Sequence, residues 1–139
     1  MRTTVNDATP QDAGAIVALF RGGFDEHIVG ATVYGCDGVE RFVAEQIRFR
    51  RFSPYRYEVC RVGARVVGAA EFRLLGDTLF LNYVAVDAAG QGNGVGRALV
   101  KTAVDRARAG GLARFALDVF VSNQRASGWY ERIGMREER

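Results

Sequence analysis

The sequence predicts a single mixed α/β domain, and three stretches carry that prediction. Leu79, Phe80, Leu81, Tyr83, Val84 and Val86 make a β-branched and aromatic run of strand length, apolar on successive residues as in a strand covered on both faces. The run breaks into a glycine-rich turn, Ala88 to Gly96, after which Val95, Ala98, Leu99, Ala103 and Val104 recur at helical spacing. Ahead of it, Tyr57 to Val62 and Val66 to Leu75 read as strands joined at Gly63-Ala64-Arg65, and Gly76-Asp77 turns the chain into the next strand. Three successive hairpin strands thus lead into a strand, glycine loop and helix.

The remaining elements follow in chain order. Thr3 to Asn6 is a short first strand. Thr9-Pro10-Gln11-Asp12 is a helix start, with Thr9 as N-cap, Pro10 at the first position and Asp12 where a carboxylate meets free N–H groups. Ile16, Val17, Leu19 and Phe20 give that helix a buried face, and Gly22-Gly23 stops it. Phe24 to Gly35 has no clear period. Asp37-Gly38-Val39-Glu40 repeats the capping pattern and opens a second helix with Val39, Phe42, Val43 and Ile47 on one stripe, closed by Pro54. The helix after the glycine loop runs from about Gly94 to Ala109 and ends at Gly110-Gly111. Arg114 to Val121 reads as a further strand.

Composition excludes several classes of function. With 139 residues, 48% hydrophobic and 25% charged, the chain suits one domain with an ordinary core. It carries no apolar run long enough for a membrane span, and its start lacks the apolar centre of a signal peptide, so a soluble cytoplasmic protein is expected. Cys36, Cys60 and the lone His27 show no metal-ligand spacing, so neither metal nor disulfide is expected. The net charge of +3 rests almost wholly on arginine. Arg48, Arg50, Arg51 and Arg56 cluster, but Glu40 and Glu45 precede them, so the cluster reads as a solvated helix end and no nucleic-acid partner is expected.

A helix that starts in a glycine loop aims free N–H groups and the positive end of its dipole outward, and glycine lets a phosphate approach the main chain. The nucleotide P-loop requires Lys then Ser or Thr after its last glycine, whereas Arg97 and Ala98 follow Gly96. Glycines at 90, 92, 94 and 96 fit no register of the dinucleotide fingerprint. What remains is Gln91-x-x-Gly94-x-Gly96 after a strand ending Val84-Ala85-Val86-Asp87, which resembles the pyrophosphate loop of the GCN5-related N-acetyltransferases (GNAT). Further on, Asn123, Ala126, Tyr130 and Gly134-Met135 resemble that family's second signature, Asn-x-x-Ala-x-x-x-Tyr followed by glycine and an apolar residue.

The resemblance implies a three-layer α/β/α acyl-CoA N-acyltransferase fold with a central mixed, mostly antiparallel sheet. It implies acetyl-CoA as cofactor and direct transfer to a primary amine, on a small molecule or a protein N-terminus or lysine, within a ternary complex. The pyrophosphate is expected on Gln91, Gly92, Asn93, Gly94, Val95 and Gly96, with Arg97 as salt partner. The pantetheine arm is expected to pair with the backbone at Val84, Ala85 and Val86. Tyr130 stands where the family keeps the acid that protonates the leaving thiolate. A core aromatic beside Trp129 is the plainer reading of Tyr130, and the whole Asn123-Ala126-Tyr130 signature outweighs it.

Asp118, five residues before Asn123, stands where ribosomal-protein N-terminal acetyltransferases place a glutamate base. A second branch of the family keeps its glutamate early on the fourth strand, where this chain has Phe80. Glu71 is the remaining carboxylate, with a solvent-facing strand position as its expected role. Asp25, Glu26, His27 and Tyr34 are expected at the acceptor pocket by resemblance, or else on a plain surface loop. Family members usually continue past the Gly-Met position with two further strands, whereas only Arg136 to Arg139 follow here. A missing or shortened C-terminal strand would leave the edge of Arg114 to Val121 open, so either a homodimer along that edge or a shortened form of a longer protein is expected. An acyl-CoA-binding module without transferase activity is the alternative reading.

Overall fold

Two glycine hairpins set the sheet. In the computed structural model, which describes residues 2–23, 29–30, 32–117, 124–132 and 134–136 (124–127 in backbone alone), β2 (Tyr55–Val62) turns into β3 (Arg65–Leu75) through Gly63 at φ 59°. β3 turns into β4 (Thr78–Val86) through Gly76 at φ 60°. Left-handed backbone in a two-residue turn suits the twist of its flanking strands, and glycine adopts it without steric cost. β1 (Thr4–Asp7) pairs antiparallel with β2, and β5 (Arg114–Leu117) pairs parallel with β4. The order β1-β2-β3-β4-β5 is therefore mixed and mostly antiparallel, as expected.

Strand alternation then builds two cores. Tyr57, Val59, Ala69 and Ala85 point to one face and pack with Ile16, Val17 and Phe20 of α1 (Ala13–Gly23) and Val39 and Val43 of α2 (Val39–Arg48). Cys60, Ala70, Phe72, Leu79 and Leu81 point to the other, where Val95, Leu99, Val100 and Ala103 of α3 (Val95–Ala109) cover them. Trp129 and Tyr130 of α4 (Gln124–Arg132) join this second core, so the sheet lies between two helical layers.

Local chemistry explains the helix ends. At Pro10–Asp12 the chain makes a 3-10 turn before α1, and the Asp12 carboxylate accepts the Thr9 N–H at 2.8 Å. Burial alone would raise the Asp12 pKa, but Arg61 and Thr9 together hold it below the ordinary value. α2 departs from expectation: its N-cap is Gly38 at φ 79°, with no side-chain cap from Asp37. α3 ends in a Schellman turn, with Gly111 at φ 78° and Leu112 N–H donating to Ala107 O at 2.9 Å. Arg48, Arg50 and Arg51 of the arginine cluster are exposed at the end of α2, whereas Arg56 stands half-buried in β2 and donates to the carbonyls of Arg50, Ser53 and Tyr55; Arg50 pairs with Asp7. Of the strand expected over Arg114 to Val121, on whose edge a homodimer was expected, Arg114–Leu117 form the last strand in the described sheet order, and residues 118–121 lie outside the described residues. Among the described residues no helix is long and apolar enough to cross a membrane, and no group of three His, Cys, Asp or Glu could hold a metal ion.

A buried carboxylate in β2 gives a test of the second core. Glu58 accepts from Arg106 at 3.0 Å, while its other oxygen has no partner among the described residues. Burial drives its pKa up to about 7, against the pull of Arg106 and with a further push from Asp7. Between the ordinary value of 4.5 and about 7 the folded chain keeps a proton that the unfolded chain has lost, so this group's contribution to stability falls as pH rises through that window. Glu58→Gln should remove a pH dependence on the order of 2 kcal/mol, read as the difference between urea unfolding at about pH 5 and about pH 8. Parallel pH dependence in wild type and variant would mean that Glu58 titrates normally.

Candidate functional site

The loop after β4 is fastened at its first residue. The Asp87 side chain accepts the Gly90 N–H at 2.9 Å and pairs with Arg65, while its backbone carbonyl accepts from Gly90 and Gln91. Gly90 is a packing glycine: a Cβ there would lie 2.9 Å from Val86 Cγ1. Gly92 and Gly94 differ, being left-handed at φ 79° and 73°, with no atom within 4 Å of where a Cβ would stand. They hold an open concavity over the main chain. The first backbone bond into α3 is Ala98 N–H to Gly94 O at 2.9 Å, and among the described residues no backbone acceptor meets the N–H groups of Gly92, Gly94, Val95, Gly96 or Arg97. Five amides and the positive end of a helix dipole thus meet at one place, which suits a phosphate.

The loop's side chains divide by role. Gln91 and Asn93 donate back to loop carbonyls, Gln91 to Val86 O and Asn93 to Ala89 O and Gln91 O, so they shape the turn. Val95 is buried against β3 and can offer only its amide. Arg97 is exposed, and no ion pair to it forms among the described residues. Along β4, Val84, Ala85 and Val86 pair on one side with Ala70, Ala69 and Gly68 of β3, while the described pairing with β5 ends at Leu81↔Leu117.

On the opposite face, towards α1 and α2, the sheet carries a cavity of about 470 Å³. Its walls are largely aromatic, with Phe42, Tyr55, Phe80 and Tyr83, and its polar groups are Glu71, Arg73 and Asn82. Glu71 was expected to face solvent, but it is 3% exposed. Its Oε1 accepts the Tyr34 hydroxyl at 2.6 Å and its Oε2 accepts Asn82 Nδ2 at 3.0 Å. Asn82 reaches it because the pairing shifts there: Glu71 faces Tyr83 and Phe72 faces Leu81, leaving Asn82 as the extra residue of a bulge. No salt bridge to Glu71 forms among the described residues, so two neutral donors fix a buried carboxylate whose charge has no cationic partner.

Two buried phenols flank this carboxylate. Tyr34, fully buried, has its pKa raised by burial and then by Glu71, so it stays neutral and donates. Tyr57 is raised by the same two causes, although its hydroxyl makes no hydrogen bond of good geometry among the described residues. Phe20 and Tyr83 pack on the Tyr34 ring with centroids 4.8 and 5.7 Å away, which holds the donor in place.

Other expected site residues stand elsewhere. Tyr130 does not line the cavity; it sits half-buried in the second core, edge-on to Trp129 at 4.9 Å, and burial raises its pKa. Trp129 in turn lies 3.8 Å from where a Gly96 Cβ would stand, so α4 is packed against the start of α3. Asp118, Asn123, Asp25, Glu26 and His27 lie outside the described residues, and Ala126 is described only as backbone of α4. The signal for Glu71 was in the sequence: it interrupts Val67 to Phe72, a run with no polar alternation, where a solvent-facing residue has no free face.

The sequence profile of the acetyltransferase (GNAT) family matches residues 17–135. No curated protein matches the chain in sequence. Among solved structures, PaiA N-acetyltransferase from Thermoplasma acidophilum in complex with coenzyme A is 14% identical with a TM-score of 0.81, over 99% of this chain and 92% of that one. AAC(6')-Iy in complex with a CoA-S-monomethyl-acetylneamine bisubstrate analogue is 16% identical with a TM-score of 0.78, over 100% and 95%. The ribosomal-protein-S18-alanine N-acetyltransferase of Escherichia coli is 21% identical with a TM-score of 0.76, over 99% and 80%. At these identities the likeness is one of fold.

Proposed function

The chain belongs to the acetyltransferase (GNAT) family, and on that premise we propose that residues 1–139 form one N-acetyltransferase domain whose acceptor amine binds in the Glu71 cavity. The observation that carries this reading is the buried Glu71 carboxylate, held by Tyr34 and Asn82 at a cavity of small-molecule size and, among the described residues, in no ion pair. An ammonium is the charge that completes it.

Acetyl-CoA fits the other half of the site. The open left-handed glycines and five amides without a backbone acceptor would hold its pyrophosphate, Arg97 would pair with a phosphate, and the backbone of Val84, Ala85 and Val86 would take the pantetheine arm. When bound, acetyl-CoA supplies an activated acyl carbon for attack by the amine nitrogen and a thiolate that leaves with one proton. The chain's own residues manage the protons. Glu71 accepts the one that the ammonium loses before it can attack, and two fixed donors keep its carboxylate aligned for this. Tyr130, whose burial keeps it protonated, supplies the proton for sulfur, and the second proton that nitrogen sheds as the amide forms restores it, so that the one held by Glu71 is the net proton released. Asp118 remains the alternative base that the sequence offers. The cytoplasm, where acetyl-CoA is made and used, suits this activity.

Tyr130→Phe tests the acid. A thiol is acidic enough to leave partly unprotonated, so the expected loss in turnover is modest for a general acid, at least about tenfold, with acetyl-CoA affinity unchanged. Phenylalanine preserves the contact with Trp129. Unaltered turnover at saturating substrates, measured by thiol release, would make Tyr130 a packing residue.

A further inference from the structure

The cavity presents a second charge that amine binding leaves unused. Arg73 lies two residues along β3 from Glu71, on the same side of the strand, and lines the same cavity. Its guanidinium rests 5.5 Å from the centroid of Phe80, its register partner on β4, which holds the side chain against the wall. Its Nε is buried with no hydrogen-bond partner among the described residues, and no ion pair to Arg73 forms among them, not even with Glu71. A buried guanidinium N–H without an acceptor costs free energy that a planar anion recovers by a charge-assisted pair.

One cavity thus offers a carboxylate and a guanidinium that do not satisfy each other. Successive same-face residues of a strand stand about 7 Å apart, a separation that an ammonium and a carboxylate a few ångström apart can bridge once a hydrogen bond is added at each end. The cavity's charges cancel, so it offers no net attraction to a polycation, and Phe42, Tyr55 and Tyr83 offer apolar surface for the rest of the acceptor. From this juxtaposition we propose that the acceptor is a small zwitterion, a free α-amino acid with an apolar or aromatic side chain, whose amine meets Glu71 and whose carboxylate meets Arg73. The inference rests on the transferase reading above and narrows its substrate class. Glu71 selects the amine as reactive group. Arg73 is then a specificity determinant, since it touches the acceptor away from the reacting atoms.

The test compares the common α-amino acids with their carboxamides as acceptors, by acetyl-CoA-dependent thiol release, in wild type and in Arg73→Gln. The wild type should prefer the acid over its amide by at least about thirtyfold in kcat/KM, the scale set by removing one partner of a desolvated charge pair. Arg73→Gln should raise KM for the acid by a similar factor, leave kcat within a few-fold, and abolish the preference. Arg73→Lys should restore part of it, because it keeps the charge and loses the fork. Turnover of amides or simple amines as efficient as that of acids, or a preference that survives Arg73→Gln, overturns this proposal alone. No turnover of any amine by a chain that binds acetyl-CoA overturns the transferase reading and this one with it.

Discussion

Glu71→Gln should lower amine acetylation by about 10²- to 10⁴-fold, the range for a lost general base, while acetyl-CoA affinity stays within a factor of about two. The substitution keeps volume and shape. The Tyr34 hydroxyl can still donate to the amide oxygen, and Asn82 can turn its own oxygen to the new amide nitrogen, so the fold has little reason to suffer. What is lost is the acceptor for the ammonium proton. The deficit should therefore shrink as pH rises towards the pKa of the acceptor amine, where the nucleophile is already neutral in water and needs no base. A stopped assay over that pH range, with a thermal melt as folding control, checks both parts. If Asp118→Asn produces the larger and pH-sensitive loss instead, the base is Asp118 and Glu71 only shapes the cavity.

Gly96→Val should weaken acetyl-CoA binding by at least about a hundredfold, because two blocked amide bonds to a charged phosphate, at about 1.5–3 kcal/mol each, account for that factor. Gly96 is a cleaner choice than Gly94. At Gly94 the backbone stands at φ 73°, so any side chain strains the loop as well as covering the site. At Gly96 a Cβ would stand 3.7 Å from Val86 Cγ2 and 3.8 Å from Trp129, ordinary contacts, and only the branched methyls of valine need intrude. Isothermal calorimetry on the folded variant decides it, and unchanged affinity would remove the phosphate from this loop.

Much of this architecture was legible before any coordinates. The strand, glycine loop and helix around Gly94 are local events, set by periodicity and by glycine's access to left-handed backbone, and they stand where the sequence put them. The hairpins at Gly63 and Gly76 were legible for the same reason. For Glu71 the unbroken run Val67 to Phe72 signalled burial but not its partners, which are Tyr34, 37 residues away, and Asn82 on a bulge that no period announces. Charge type alone assigned it to solvent. Gly38 replaced the expected Asp37 cap because a left-handed glycine also starts the helix, and both residues occur in the same four-residue pattern. Tyr130 stands half-buried beside Trp129, the packing that the signature had outweighed, and which group it faces depends on partners beyond the reach of local pattern.

The central claim is that this domain both holds acetyl-CoA and spends its acetyl group on an amine, and stoichiometry tests it most directly. Purified protein, acetyl-CoA and the α-amino acid panel are incubated together, and free thiol is counted against N-acetylated product by mass spectrometry. The account predicts amine-dependent thiol release in one-to-one ratio with product, lost in Glu71→Gln. Tight acetyl-CoA binding with thiol release no faster with amine than without it would contradict the account, and would make the domain an acyl-CoA-binding module.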